Sequence, residues 1–196
     1  MDQILLFLIS SLALTLMPGP DILFVLNQSL ENKKSGFLIS IGLCSGLAVH
    51  TLILVFGLSA FIETNEYLIS YLKYFGTLYL FYLAFDELKT KFKKASKPNN
   101  TNLFLRGLYM NLVNPKVLLF FIAYFPNFLF SETLSISLQF LILGSIFIFQ
   151  ALIIFSSVSL ASNKLTAYLK VDTANYRLSY FKAFVFVAIG LSILLL

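Results

Sequence analysis

Two proline-containing motifs lie inside long apolar runs and hold the side chains best suited to chemistry. Both combine proline with ionisable or amide groups: Pro18, Gly19, Pro20 and Asp21 in the first, and Asn111, Asn114, Pro115 and Lys116 in the second. Proline lacks a backbone N–H and clashes with the preceding turn, so each motif should interrupt a helix. Within a bilayer, such a break persists only against protein or a water-filled cavity. The motifs therefore predict a polar site near the membrane midplane, as in secondary transporters.

The first motif predicts a helix N-terminus that faces this site. Pro20 suits the first helical position, where its missing N–H would be unpaired anyway, and Gly19 can serve as the N-cap. The unpaired N–H groups that follow attract an anion such as a ligand carboxylate. Two interpretations of Asp21 stay open, because an acidic side chain in the first turn stabilises a helix with or without a ligand.

The second motif repeats this arrangement with different residues. Asn114 is a good N-cap, and Pro115 falls at the first helical position. Lys116 then opposes the helix dipole and needs a compensating anion, for which Asp21 is the natural candidate. The alternative is that Lys116 extends to the lipid headgroups. Asn111 lies on roughly the same helix face as Asn114 and Pro115 and completes the predicted substrate site.

The chain has one histidine, His50, and one cysteine, Cys44. His50 could relay protons together with Asp21, since an unperturbed imidazole has a pKa of about 6.5, or it could simply bond neighbouring helices. A single cysteine excludes an intramolecular disulfide, and a histidine-rich metal site is not expected. No glycine-rich nucleotide-binding motif is present, so we expect no cofactor and no ATP-driven transport.

The elements that must position these residues are membrane-spanning helices. The chain has 196 residues, of which 59% are apolar and only 12% charged, which excludes a soluble globular protein. A span needs about 20 mostly apolar residues. We predict an all-α integral membrane protein with six such spans, at 4–26, 37–61, 67–85, 107–130, 134–160 and 180–196.

A polar segment divides the spans into two groups of three. We predict a first repeat at 1–86, a cytoplasmic linker at 87–106 and a second repeat at 107–196, together one transporter domain. Because three is odd, the second group enters the membrane from the opposite side, as in an inverted repeat. Aligning the two motifs pairs Pro20 with Pro115 and opposes Asp21 to Lys116.

The net charge of +5 follows the membrane topology. Lysine and arginine concentrate after the first, third and fifth spans, beginning with Lys33 and Lys34. The positive-inside rule makes these connections cytoplasmic and places both termini in the periplasm. The basic residues are therefore expected to meet anionic membrane lipids, and no nucleic-acid partner is expected.

These motifs resemble the LysE/RhtB translocators, a family of lysine exporters and homoserine/threonine efflux proteins. The resemblance covers nearly the whole chain and rests on five segments: 18–21, 42–50, 72–76 with Tyr79 and Leu80, 106–107 and 111–116. It implies a bacterial inner-membrane exporter of amino acids or close derivatives that exchanges substrate for protons. The last span departs from the family pattern, because Ala183 stands where glycine is common and the adjacent Lys182 is unusual.

The residues also support a small zwitterionic substrate without reference to the family. Helix N-termini can hold a carboxylate, while Asp21 and freed carbonyls can hold an ammonium group. An ion channel or ion exchanger of similar architecture is the alternative. An enzyme is not expected, because no nucleophile–base pair or carboxylate pair is visible. Whether the chain forms a homodimer stays open.

Overall fold

The computed structural model describes residues 2–17, 19–65, 67–89, 102–168 and 176–195, and these form helices without any strand. The α-helices in chain order are α1 Asp2–Leu16, α2 Pro20–Glu31, α3 Lys33–Ile53, α4 Ser59–Thr64, α5 Tyr67–Lys89, α6 Leu103–Leu112, α7 Pro115–Tyr124, α8 Ile136–Tyr168 and α9 Tyr176–Leu195. A π-helical segment, Leu54–Leu58, joins α3 to α4, and a 3₁₀ turn, Phe125–Phe128, follows α7. The predicted all-helical class is confirmed for these residues.

Both predicted helix breaks are present. The first apolar run bends by 54° between α1 and α2, and the fourth bends by 52° between α6 and α7. As predicted, α2 starts at Pro20 with Gly19 as its N-cap. The second half-helix likewise starts at Pro115. Pro18 lies outside the described residues.

Several helices have the length and composition of membrane spans. Within the described part, three qualify by themselves: Lys33–Thr64, Tyr67–Lys89 and Ile136–Lys164. The number rises to five if each bent pair counts as one span, and Ser179–Leu195 is a shorter apolar helix at the position predicted for the sixth. The chain is therefore a multi-pass α-helical membrane protein, and six spans stay a prediction.

Helices α3 and α8 pack against each other at the centre of the bundle. Helix α3 also contacts α2 and α6, α8 contacts α1 and α2, and α5 pairs with α9 at the side. Helix α5 continues to Lys89 and α6 begins at Leu103, so both extend into the range 87–106 predicted as linker. The remainder of that range, 90–101, lies outside the described residues.

Small residues bring α3 and α6 into close contact. A Cβ atom added at Gly42 would overlap the carbonyl oxygen of Phe104, and one added at Gly107 would lie 2.5 Å from the carbonyl oxygen of Ile39. One turn along α3, a Cβ at Gly46 would lie 2.5 Å from Oδ1 of Asn111. Gly42 and Gly46, four residues apart in a G-x-x-x-G spacing, thus form a packing interface with α6, and the two helices run parallel.

Candidate functional site

Asp21 occupies the first turn of α2, beside the first helix break. Its N-cap, Gly19, has no side chain to bond the free backbone N–H groups, although the Gly19 carbonyl accepts a bond of 3.0 Å from the N–H of Leu23. The Oδ1 atom of Asp21 is buried and has no hydrogen-bond partner in the structure. A buried acceptor without a partner is costly, so it marks a place where a ligand, an ion or water is expected.

Asn111 lies one turn before the second break, and its carbonyl group has lost its usual helical partner. In an uninterrupted helix this carbonyl would accept the N–H of residue 115, but Pro115 has none. Instead, the N–H of Asn114 donates to it at 3.2 Å. The imidazole Nε2 of His50 on α3 lies 3.4 Å from the same oxygen. The break therefore links α6 to the histidine of α3.

This contact defines which nitrogen of His50 can accept a hydrogen bond. Because the Asn111 carbonyl only accepts, Nε2 must carry the proton of the bond, which leaves Nδ1 of the neutral ring as an acceptor. The Nδ1 atom is buried without a partner, and so is Oδ1 of Asn111. Together with Oδ1 of Asp21, these are the buried side-chain oxygen and nitrogen atoms left without hydrogen bonds in the described residues.

The helix directions place Asp21 and Asn111 toward the same level of the bundle. Helices α2 and α3 form an antiparallel pair around Asn32, which ends one and caps the other, so α2 is also antiparallel to α6. The guanidinium carbon of Arg106 on α6 lies 4.8 Å from the ring centre of Phe24 on α2. Asp21 lies about 4.5 Å from this contact toward the N-terminus of α2, and Asn111 lies about 7.5 Å from it toward the C-terminus of α6. Because the two helices are antiparallel, both displacements point to the same end of the bundle.

Two glutamines of α8 are hydrogen-bonded to neighbouring segments. Gln139 accepts from the N–H groups of Phe130 and Ser131 at 2.8 and 3.0 Å and donates to two carbonyl groups, so it closes the turn before α8. Gln150 accepts from the hydroxyl of Ser11 at 2.7 Å and donates to the Leu8 carbonyl at 3.1 Å. Gln139 thus stabilises a turn and Gln150 joins α8 to α1, in contrast to the unsatisfied groups at the breaks.

The structure leaves the predicted Asp21–Lys116 pair untested. Lys116 lies in the first turn of α7, as predicted, but its side chain and that of Pro115 are outside the described part. Asn114 already has an interaction partner in the structure. The described members of the candidate site are therefore Asp21 beside the first break, and His50 with Asn111 beside the second.

Seven aromatic rings pack beside this site and are named here the aromatic cluster: Phe7, Phe120, Phe121, Tyr124, Phe125, Phe128 and Phe147. Every ring is at most 9% exposed. Phe121 faces His50 with ring centres 5.4 Å apart, and the hydroxyl of Tyr124 bonds that of Ser10 on α1. The polar group of His50 thus borders a closely packed apolar cluster.

Sequence reasoning missed one buried ion pair. Nζ of Lys182 on α9 lies 2.8 Å from Oε1 of Glu87 on α5, and the side chains are only 2% and 14% exposed. This pair explains the unusual lysine of the last helix, because a buried charge needs a partner. Glu87 falls at the start of the predicted linker, so no sequence pattern connects the two residues.

The bent helices and the unsatisfied polar atoms beside them are features of α-helical membrane transport proteins. Residues 12–196 match the family model of the LysE type translocators. The chain belongs to this family, as the sequence motifs predicted.

Curated relatives agree with this assignment. A leucine efflux protein of Enterobacter sp. (strain 638) is 29% identical over 163 residues, which cover 76% of this chain and 77% of the relative. An uncharacterized membrane protein of Pseudomonas aeruginosa is 32% identical, with 75% and 76% covered. A leucine efflux protein of Salmonella typhimurium is 31% identical over 63% of this chain and 61% of its own length. No solved structure matches the chain.

Proposed function

We propose that this protein is a secondary active exporter of amino acids in the bacterial inner membrane, with its substrate site at the two helix breaks. The observation that carries the proposal is the set of three buried acceptors without partners: Oδ1 of Asp21, Nδ1 of His50 and Oδ1 of Asn111. Family membership and the relatives named for leucine efflux support the same function.

The acceptors match one end of an amino acid. A protonated amine has three N–H donors and no acceptor, and a charged donor strengthens each hydrogen bond that it makes. The substrate's carboxylate would bind the free N–H groups at the start of α2 or α7, where the helix dipole is positive. Pro18, Gly19 and Pro20 in one motif, and Asn114 and Pro115 in the other, serve to expose these groups.

A neutral, apolar amino acid is the substrate that we favour. The aromatic cluster adjoins His50 through Phe121 and offers apolar contact to a side chain of leucine type. A lysine-like substrate would need a second buried anion, and within the described part of the two half-helices Asp21 is the only acidic residue in a first turn. The names of the leucine efflux relatives agree with this choice.

Proton exchange is the proposed energy source, with His50 and Asp21 as the residues that carry the proton. The Nδ1 atom of His50 can accept a proton without breaking the bond between Nε2 and Asn111. In the empty site the Lys116 ammonium group would neutralise Asp21, and the ammonium group of a bound substrate would take the place of Lys116.

An inverted repeat with both termini in the periplasm is the proposed architecture. In an inverted repeat, span one corresponds to span four and span two to span five. The contact of α3 in span two with α6 in span four therefore corresponds to a contact of α8 in span five with the first span. Helix α8 does contact α1 and α2, which supports this symmetry.

Transport assays with purified protein in liposomes test the function directly. With an imposed proton gradient, we expect uptake of radiolabelled leucine that exceeds uptake of lysine. Asp21→Asn and Asn111→Ala should each reduce transport at least tenfold without reducing the amount of folded protein. Asn127→Ala is the control, because this buried amide donates to the Ala123 carbonyl at 2.6 Å, away from the breaks. Proton-driven ion flux without amino-acid transport would favour an ion exchanger instead.

Replacement of Pro115 tests the break itself. Pro115→Ala supplies the N–H that the Asn111 carbonyl lacks, so the helix can close and release His50. We expect a stable protein with strongly reduced transport. Normal transport by a well-folded Pro115→Ala variant would disprove the role of the broken helix.

A further inference from the structure

A groove lies between the N-terminal turns of α3 and the later part of α8, away from the helix breaks. Its volume is about 480 Å³, within the range of small-molecule sites. The lining residues are Lys33, Lys34, Phe37, Leu38, Ser156, Ser159 and Leu160. The groove thus has basic residues at one end and an apolar remainder.

Lys33 is held in place at the basic end. Its Nζ donates to the carbonyl groups of Ser159 and Leu160 at 3.0 and 3.1 Å and to the hydroxyl of Ser162. These three bonds use all the donors of the ammonium group but do not neutralise its charge. Among the described residues, neither Lys33 nor Lys34 has a carboxylate within ion-pair distance.

The two lysines begin the first helix that is long and apolar enough to cross a membrane without a break. They therefore lie at the level of the lipid headgroups, where basic residues between helices attract anionic lipids. Phe37 and Leu38 follow one turn deeper, about 5.4 Å into the membrane, and Ser156 is one turn deeper than Leu160 on α8.

We propose that this groove is a binding site for one anionic phospholipid. The lipid phosphate binds Lys34, whose side chain is exposed and available, while the fixed charge of Lys33 adds attraction. An acyl chain packs against Phe37 and Leu38, which are 46% and 45% exposed without it. The hydroxyl of Ser156 lies at the depth of the glycerol esters, which accept hydrogen bonds.

The lipid connects two helices that frame the transport bundle. Lys33 already joins the start of α3 to α8, and the hydroxyl of Ser159 donates to the Lys33 carbonyl at 3.1 Å. A phospholipid in the groove would cover the exposed side of this junction. The site is independent of the substrate site, so it can be tested whether or not the protein exports amino acids.

Native mass spectrometry of detergent-purified protein with added lipid is the experiment. We expect phosphatidylglycerol to bind at least tenfold more tightly than phosphatidylcholine. Lys34→Gln should weaken phosphatidylglycerol binding about fivefold, as expected for one basic residue at the membrane surface, and Lys34→Arg should restore it. Lys164→Gln is the matched control, because it removes an exposed lysine of α8 that does not line the groove.

Three results would overturn the proposal. Equal binding of the two lipids would remove the role of the headgroup charge. An equal effect of Lys34→Gln and Lys164→Gln would indicate general surface attraction. Competition by inorganic phosphate or glycerol phosphate at concentrations similar to the lipid would identify a site for a free anion.

Discussion

The close contact between α3 and α6 leads to a prediction about Gly46. In Gly46→Ala, the new Cβ would lie 2.5 Å from Oδ1, 2.7 Å from Cβ and 2.8 Å from Cγ of Asn111. Real Cβ atoms do not approach other atoms so closely, so either the amide moves or the helices separate. Overpacking of this kind costs about 1–3 kcal/mol.

Gly57 on the same span offers a matched control. A Cβ added there meets no atom within 4 Å, so Gly57→Ala should be neutral or slightly stabilising. Gly46→Ala should therefore unfold roughly 2–12 °C below Gly57→Ala, at about 2–4 °C per kcal/mol for a chain of this size. Gly42→Ala should be worse than either, because the obstacle is the backbone carbonyl of Phe104, which cannot rotate away.

The position of Asn111 in the proposed site adds a second readout. Gly46→Ala should reduce leucine transport more than the lower stability explains, because the displaced amide no longer offers its acceptor to the substrate. The double variant Gly46→Ala/Asn111→Gly removes the Cβ, Cγ and Oδ1 atoms of position 111 together, so it should recover part of the stability lost in Gly46→Ala but not transport. Thermal unfolding in detergent and liposome transport are measured side by side. If Gly46→Ala matches Gly57→Ala in both assays, the described α3–α6 contact is wrong.

Three further predictions concern other parts of the chain. Lys182→Met leaves the Glu87 carboxylate, which is 14% exposed, without its partner and should destabilise the protein by about 3 kcal/mol in thermal or denaturant unfolding. The double variant Lys182→Met/Glu87→Leu should recover this stability. Equal stability of the single and the double variant would contradict a buried pair. Phe7→Ala removes a fully buried ring and should lower the free energy of unfolding by about 3–5 kcal/mol. Phe56→Ala, at a ring that is 79% exposed, should change it by less than about 0.5 kcal/mol, and equal losses of stability would refute the packing of the aromatic cluster. Reporter fusions at Asn99 and at the C-terminus should give cytoplasmic and periplasmic signals respectively, and the reverse pattern would overturn the proposed orientation.

The helix breaks could be predicted from the sequence because their cause is local. Proline lacks a backbone N–H whatever its surroundings, so Pro20 and Pro115 each favour the start of a new half-helix independently of how the helices pack. The apolar runs likewise predicted the helices, since a bilayer requires each segment to satisfy its own backbone. The spacing of Gly42 and Gly46 is typical of a close helix contact, although it does not indicate that the partner is α6.

The contacts within the site could not be predicted from the sequence, because they depend on how separate helices are rotated and shifted against each other. A shift of one residue turns a helical side chain by about 100°, so sequence order could not determine that His50 meets the carbonyl of Asn111. Nor could it distinguish Gln139, which is fully bonded in a turn, from Asn111, which keeps a free acceptor. The positions of the breaks, and the polar residues that accompany each break, could be inferred from the sequence alone. Which of those polar atoms stay unpaired depends on the packing of the helices, because hydrogen bonding between helices depends on distances that no single segment contains.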